Sequence, residues 1–191
     1  VSLLLAGLNT RFADARATGA VTDACYQQLR SFKRTLSQQP DADPADLFAE
    51  RCDAYRAKLE ADKTAGALLP DEAAARTRTL ALLTAWSRSL DNGLDADEAF
   101  DTVRGAFNTQ VQRREEAVSA ASNALEFAFD FMEQAFENGE EMVVFVTELT
   151  ITSESARFLS EHTCERYLTY NKQLLIGTRR AELLSELRRD N

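Results

Sequence analysis

The sequence predicts an all-α protein, an elongated bundle of about seven helices built around one long helix at about 96–138. Residues 95–138 contain no proline and a single internal glycine, Gly105. Apolar residues recur there at gaps of three, four and seven, which places them on one side of a helix spanning roughly 60 Å. These residues are Phe100, Val103, Phe107, Val111, Val118, Leu125, Phe129, Met132 and Phe136. The loops between the other helical patterns are short, as neighbouring helices of a bundle require.

Two helices are predicted on either side of Gly19. The first covers residues 1–17, and Gly19 is a suitable C-terminal stop. The second runs from about residue 22 to 37, with Thr22 as its cap. The QQPDAD stretch at 38–43 is typical of a turn.

The next helix has the best-marked start in the chain. Asp43 is predicted to cap it and Pro44 to occupy its first position, and the helix continues to about residue 65. Pro70 opens a fourth helix that ends near residue 90. Asp95 then caps the long helix.

The segment after Gly139 is ambiguous in type. Residues 141–152 are rich in β-branched side chains, which favours a strand. Helical spacing is nevertheless kept, and no second strand is available to pair with it, so we predict a helix. Ser153 is predicted to cap a further helix over 153–175, and residues 178–189 form the last one.

Composition favours one globular domain over residues 1–191. Hydrophobic residues make up 45% of the chain, and the net charge of −9 disfavours binding to nucleic acids and to anionic membranes. The apolar runs are far too short to cross a bilayer. The chain starts without methionine, inside an amphipathic pattern, so we expect a piece of a longer cytoplasmic protein. A processed terminus is the alternative. Three widely spaced cysteines cannot form a complete disulfide framework, and buried thiols in a reducing compartment are expected.

No set of residues points to catalysis. His162 is the only histidine, and Glu161 beside it points about 100° away on a helix. Neither a di-metal site nor a pairing of Cys164 with His162 fits the spacing. Phosphate-binding loops and the GxSxG motif do not occur. The sequence therefore predicts no catalytic residue, no metal and no cofactor.

Two kinds of surface are candidates for interactions. Phe127 and Phe131 extend the aromatic end of the long helix beyond one face, so they contact either a second layer of helices or a partner. Burial by later helices of the same chain is the favoured interpretation. Basic residues cluster at Arg30, Lys33 and Arg34, and again at Arg179, Arg180, Arg188 and Arg189. Either cluster could hold phosphates, but interleaved glutamates in the second favour a solvated, ion-paired face. Phe127, Phe131, Arg179 and Arg180 are the candidate interaction residues.

The stretch from Gly139 to Leu187 contains GEEMVVFVTELT, SARFLSEHTCERYLTYNKQLL and RRAELLSEL. It resembles the C-terminal region of uncharacterised AAA-type ATPases from anaerobic Gram-positive bacteria. The resemblance implies that a nucleotide-binding core lies N-terminal to Val1, and that this piece is a helical C-terminal domain. It places no active-site residue in this chain.

We therefore expect a non-catalytic interaction or regulatory domain of a larger AAA-type ATPase. It would dock on a protein partner or on the N-terminal part of its own parent chain. One alternative is an enzyme of unrecognised type, with Glu148, His162, Tyr167 and Tyr170 lining a pocket. The other is a nucleic-acid-associated helical module that uses the arginine clusters.

Overall fold

The all-α prediction is confirmed for the part of the chain that the structure describes. The computed structural model describes residues 2–135, 145, 148, 149 and 159–169, and no strand occurs among them. The described elements are α1 (Ser2–Gln38), α2 (Pro44–Thr64), α3 (Pro70–Arg88), α4 (Ala96–Ala135) and a shorter helix, α5, at 161–169. The expected number of about seven helices is not confirmed, since the described residues show these five helices and two further helical residues at 145 and 148.

Helix α1 corrects the prediction of two helices separated at Gly19. The helix runs without interruption from Ser2 to Gln38, and Gly19 lies buried inside it. A glycine inside a helix costs about 1 kcal/mol relative to alanine, which burial of the surrounding apolar face readily offsets. Thr22 does not cap a helix either, because its hydroxyl donates to the carbonyl of Thr18 one turn earlier, at 2.8 Å.

Helices α2 and α3 begin where their prolines predicted. Asp43 caps α2 by accepting a hydrogen bond from the backbone N–H of Ala45 at 2.8 Å. Its second carboxylate oxygen accepts from the N–H of Gly93 at 2.9 Å, so one side chain fixes two turns. Gly93 has φ +85°, a left-handed conformation that favours glycine.

Helix α4 has 40 residues and continues through Gly105. The predicted cap at Asp95 is confirmed, since its carboxylate accepts from the N–H of Glu98 at 2.8 Å. The Glu98 carboxylate accepts from the N–H of Asp95 at 3.3 Å, which completes a capping box.

The region after α4 is described in part. Phe145 and Glu148 are helical, as predicted for 141–152, whereas Leu149 is described and is not helical. The other residues of that stretch lie outside the described residues. The prediction of one continuous helix over 153–175 is wrong, because Leu159 and Ser160 are not helical and α5 begins at residue 161. Residues 153–158 and 170–175 lie outside the described residues. The Ser160 hydroxyl accepts from the N–H of Thr163 at 3.1 Å, so Ser160 is the cap. The predicted helix at 178–189 lies outside the described residues.

The chain divides into two compact units, each with its own core, and α1 and α4 contribute residues to both. The continuous unit is Arg16–Glu116, and its largest fully buried side chains include Phe32, Phe48, Leu59 and Leu83. The discontinuous unit is Val1–Ala15 with Ala117–Asn191, and its core contains Leu8, Phe12, Leu125, Phe129, Met132 and Phe145. The prediction of one domain over residues 1–191 stays a prediction.

Edge-on aromatic contacts tighten both cores. Phe32 and Phe48 meet in the continuous unit with ring centroids 4.9 Å apart. Phe129 and Phe145 meet in the discontinuous unit at 5.5 Å. Each such pair adds about 1 kcal/mol beyond the burial of its area. None of the helices within the described ranges combines the length and the apolar character that crossing a membrane requires.

Candidate interaction surface

Two exposed phenylalanines lie one helical turn apart on α4, and we call them the aromatic pair. Phe127 is 66% exposed and Phe131 is 52% exposed. The register of α4 explains this, because the core of the discontinuous unit takes the opposite side of the helix. The residues on that core side are Ala121, Leu125, Ala128, Phe129 and Met132. Burial of both rings by later helices of the same chain, which the sequence favoured, is not observed among the described residues.

A cluster of charged side chains lies beside the aromatic pair, and we call it the Arg166 cluster. The guanidinium of Arg166 on α5 donates to carboxylates of Glu126 and Asp130 on α4, at 2.6 and 3.0 Å. A third carboxylate, that of Glu133, lies 3.2 Å from the same guanidinium. Arg166 also lies over the ring of Phe129, 5.2 Å from its centroid. One cation thus fastens α5 to α4.

Hydroxyl groups extend this cluster inward. The Thr163 side chain is fully buried, and its hydroxyl donates to the Glu126 carboxylate at 2.5 Å. Because the Thr163 hydroxyl donates its one hydrogen to Glu126, the Ser160 hydroxyl must be the donor in the 2.6 Å contact between Ser160 and Thr163. The chain of hydrogen bonds therefore runs from the cap of α5 to a carboxylate on α4.

The electrostatics of this cluster favour permanent charge. Burial raises the pKa of Glu126, but the hydrogen bond from Thr163 and the contact with Arg166 outweigh it and hold the pKa below its usual value. Burial lowers the pKa of Arg166, and its hydrogen bonds to Glu126 and the neighbouring carboxylates outweigh that effect and raise it. Both groups stay ionised near neutral pH, so the cluster is a fixed structural contact.

The structure describes three of the four residues of the predicted alternative pocket. His162 and Glu148 are exposed, Tyr167 is half-buried, and Tyr170 lies outside the described residues. No group of three or more histidine, cysteine or acidic side chains suited to a metal ion occurs within the described ranges.

The cysteines have the properties of packed thiols. Cys25 and Cys52 are buried and Cys164 is half-buried. Burial raises the pKa of Cys25 to about 12. It also raises the pKa of Cys52 and of Cys164, which keeps all three protonated near neutral pH.

The basic residues predicted as candidates fall in two places. Arg30, Lys33 and Arg34 are exposed on α1, and Lys33 lies over the ring of Phe100, 5.4 Å from its centroid. Arg179 and Arg180, together with Arg188 and Arg189, lie outside the described residues.

A cavity of about 420 Å³ in the continuous unit was not predicted. Alanines of α1 and α3 line it together with Glu72, Arg76 and Thr79. Its charged groups are engaged elsewhere. The Arg76 guanidinium donates to Asp62 at 2.6 Å, and the Glu72 carboxylate accepts from the N–H of Leu69 at 3.1 Å. The lining is therefore mainly apolar.

The sequence carried a signal for one feature that the prediction missed. Glu126, Asp130 and Glu133 are spaced by four and three residues, which gathers three carboxylates on one helical face. Such a face favours a cation nearby, but nothing local in the sequence identifies Arg166 as that cation.

Comparison with known proteins gives no relative for this chain. No protein-family model, no curated protein and no solved structure matches it. The candidate surface therefore has to be interpreted from its own geometry and charge.

Proposed function

We propose that this chain is a non-catalytic helical module that docks on a protein partner through the aromatic pair. The observation that carries the proposal is the exposure of Phe127 and Phe131, side by side on a helix whose other face is filled by the core. Large apolar side chains grouped on a surface are typical of interaction sites. On the basis of the resemblance to AAA-type ATPases, we also propose that the module belongs to a larger cytoplasmic ATPase. The nucleotide chemistry would then lie in another part of that protein.

The aromatic pair supplies a useful part of a binding energy. Together the two rings offer roughly 200 Å² of exposed apolar area, and burying it yields about 5 kcal/mol. Association itself costs at least about 4 kcal/mol, so the pair needs support from surrounding contacts. It would act as the centre of a larger interface.

Charge around the pair indicates the kind of partner. Asp130 and Glu133 have side chains 60% and 44% exposed, and the chain carries a net charge of −9. A second copy of this chain would bring like charges together. We therefore commit to a partner with an amphipathic helix whose apolar stripe is flanked by lysines or arginines.

A defined pair of peptides tests this partner chemistry. One helical peptide has a leucine stripe flanked by lysines, and its control has the same stripe flanked by glutamates. We expect the basic peptide to bind with Kd on the order of 100 μM and the acidic peptide to bind much more weakly. Fluorescence anisotropy measures both.

Substitutions connect that binding to the aromatic pair. The double substitution Phe127→Ser and Phe131→Ser should raise the Kd for the basic peptide by about tenfold or more. Leu168→Ser is the matched control, because Leu168 is 52% exposed in the same unit but lies on α5. Equal binding by the double variant and the wild type would contradict the proposal, as would a self-association that the double variant abolishes.

An ATP hydrolysis assay tests the proposal that this chain is not catalytic. We expect no ATP hydrolysis by this chain above the background without protein. Turnover that scales with protein concentration and survives repurification would contradict it.

A further inference from the structure

Arg51 on α2 has an unusual environment in the continuous unit. Its Nη1 donates to the Ser31 hydroxyl and its Nη2 to the Thr35 hydroxyl, both at 2.7 Å on α1. Its Nε is buried and donates to no atom of the described chain. Two neutral hydroxyls are therefore the hydrogen-bond acceptors of a half-buried guanidinium.

No carboxylate within the described ranges forms an ion pair with Arg51. The half-buried arginines Arg76 and Arg166 differ, since each has a carboxylate oxygen at 2.6 Å. The pKa shifts also separate Arg51, which has no carboxylate partner in the described part of the chain, from the two arginines that have one. Burial lowers the pKa of Arg51, whereas carboxylates raise the pKa of Arg76 and of Arg166 against the effect of burial. A desolvated cation without a counter-charge is costly.

Further donors lie on the turn of α1 that Arg51 contacts. Arg34 lies between Ser31 and Thr35 in sequence, is exposed, and makes no ion pair with the described carboxylates. The Thr35 hydroxyl donates to the carbonyl of Ser31 at 3.1 Å, but the hydroxyl hydrogen of Ser31 has no acceptor among the described residues. Each Nη of Arg51 also carries a second N–H that the two hydroxyl contacts do not use.

We propose that Arg51, Arg34 and Ser31 bind a phosphate-type oxyanion, either inorganic phosphate or the phosphate group of a small soluble molecule. The planar guanidinium fork of Arg51 matches two phosphate oxygens, and the Ser31 hydroxyl donates to a third. Arg34 adds a second positive charge from the same turn of α1. The bound oxyanion supplies the counter-charge that the protein itself does not provide to Arg51. We call this place the Arg51 site.

Thermal unfolding of the whole chain tests the site with inorganic phosphate as the probe. Sodium phosphate is compared with sodium chloride at equal ionic strength and pH. At a phosphate concentration tenfold above Kd, we expect the Tm of the wild type to rise by about 3 °C over its value in chloride. Isothermal titration should give one phosphate per chain.

Three variants assign that response to the site. Arg51→Met and Arg34→Gln should remove the phosphate-dependent rise in Tm. Arg88→Gln should keep it, since Arg88 is an exposed arginine at the end of α3 in the same unit. A rise of the same size in all variants would contradict the proposal, as would no rise in the wild type.

The Tm of Arg51→Met in chloride distinguishes a ligand site from a purely structural contact between α2 and α1. Methionine removes the uncompensated charge and keeps much of the apolar stem, so Arg51→Met should unfold at the Tm of the wild type or above. A Tm lowered equally in chloride and phosphate would show that Arg51 only ties α2 to α1, and the proposal would fail. Should Arg51→Met not fold, Arg34→Gln at the exposed position gives the same decision. Arg51-dependent binding to a DNA duplex, with no response to phosphate, would also overturn it.

Discussion

Replacing Arg166 by methionine tests how the discontinuous unit is held together. The Arg166 side chain is 18% exposed and contacts a Glu126 side chain that is 27% exposed, so their hydrogen bond is partly shielded from water. A hydrogen bond to a charged group contributes about 2 kcal/mol. The contacts with Asp130 and Glu133 are more exposed and add a few tenths of a kcal/mol each. We therefore expect Arg166→Met to lower the free energy of unfolding by about 2–3 kcal/mol.

Urea unfolding followed by far-UV circular dichroism measures this loss. Fluorescence of Trp86 is a poorer readout, because Trp86 belongs to the continuous unit. Arg56→Met is the matched control, since the Arg56 contact with Asp53 joins side chains that are 47% and 73% exposed. We expect the control to change the free energy of unfolding by less than about 0.5 kcal/mol.

A double-mutant cycle with Glu126→Gln isolates the contact between the two side chains. We expect the effects of Arg166→Met and Glu126→Gln to be non-additive, with a coupling energy of about 1–2 kcal/mol. Additive effects, or a loss for Arg166→Met no larger than for the Arg56→Met control, would refute the idea that the Arg166 cluster fastens α5 to α4.

Further predictions concern acid, glycine and thiols. The folded-state pKa of Glu126 is lowered, so its stabilisation is present above the ordinary value of 4.5 and is lost as the pH falls below it. Urea unfolding between pH 7 and 3 should show the stability difference between wild type and Glu126→Gln shrinking in that range. Gly105→Ala should raise the free energy of unfolding by about 1 kcal/mol, since Gly105 is helical and an added Cβ meets no atom, whereas Gly93→Ala, at positive φ, should lower it. A disulfide reagent should label Cys164 first in the native protein, and the two buried cysteines only upon unfolding.

Helix starts were predictable where a local hydrogen bond decides them. Asp43 and Asp95 are caps as expected, because their carboxylates accept from N–H groups two and three residues later and need nothing from the rest of the chain. The same local logic failed at Gly19, where the helix continues. A penalty of about 1 kcal/mol is smaller than the gain from burying the apolar faces on both sides of the glycine.

Contacts between distant residues were not predictable. Ser160 caps α5, and Thr163, which it contacts, donates to Glu126, a residue 37 positions away along the chain. The Arg51 site was missed for the same reason. The basic residues of α1 were visible in sequence, but Arg51 joins them only because α2 packs on α1.

The composition of the two compact units has a consequence for synthesis on the ribosome. The continuous unit is one uninterrupted stretch, Arg16–Glu116, so its core can assemble as soon as that stretch has emerged. The discontinuous unit joins the beginning of the chain to residues that emerge more than a hundred positions later. Leu8 and Phe12 therefore stay exposed to solvent and chaperones until Leu125 and Phe129 of α4 have been synthesised and can pack with them in one core.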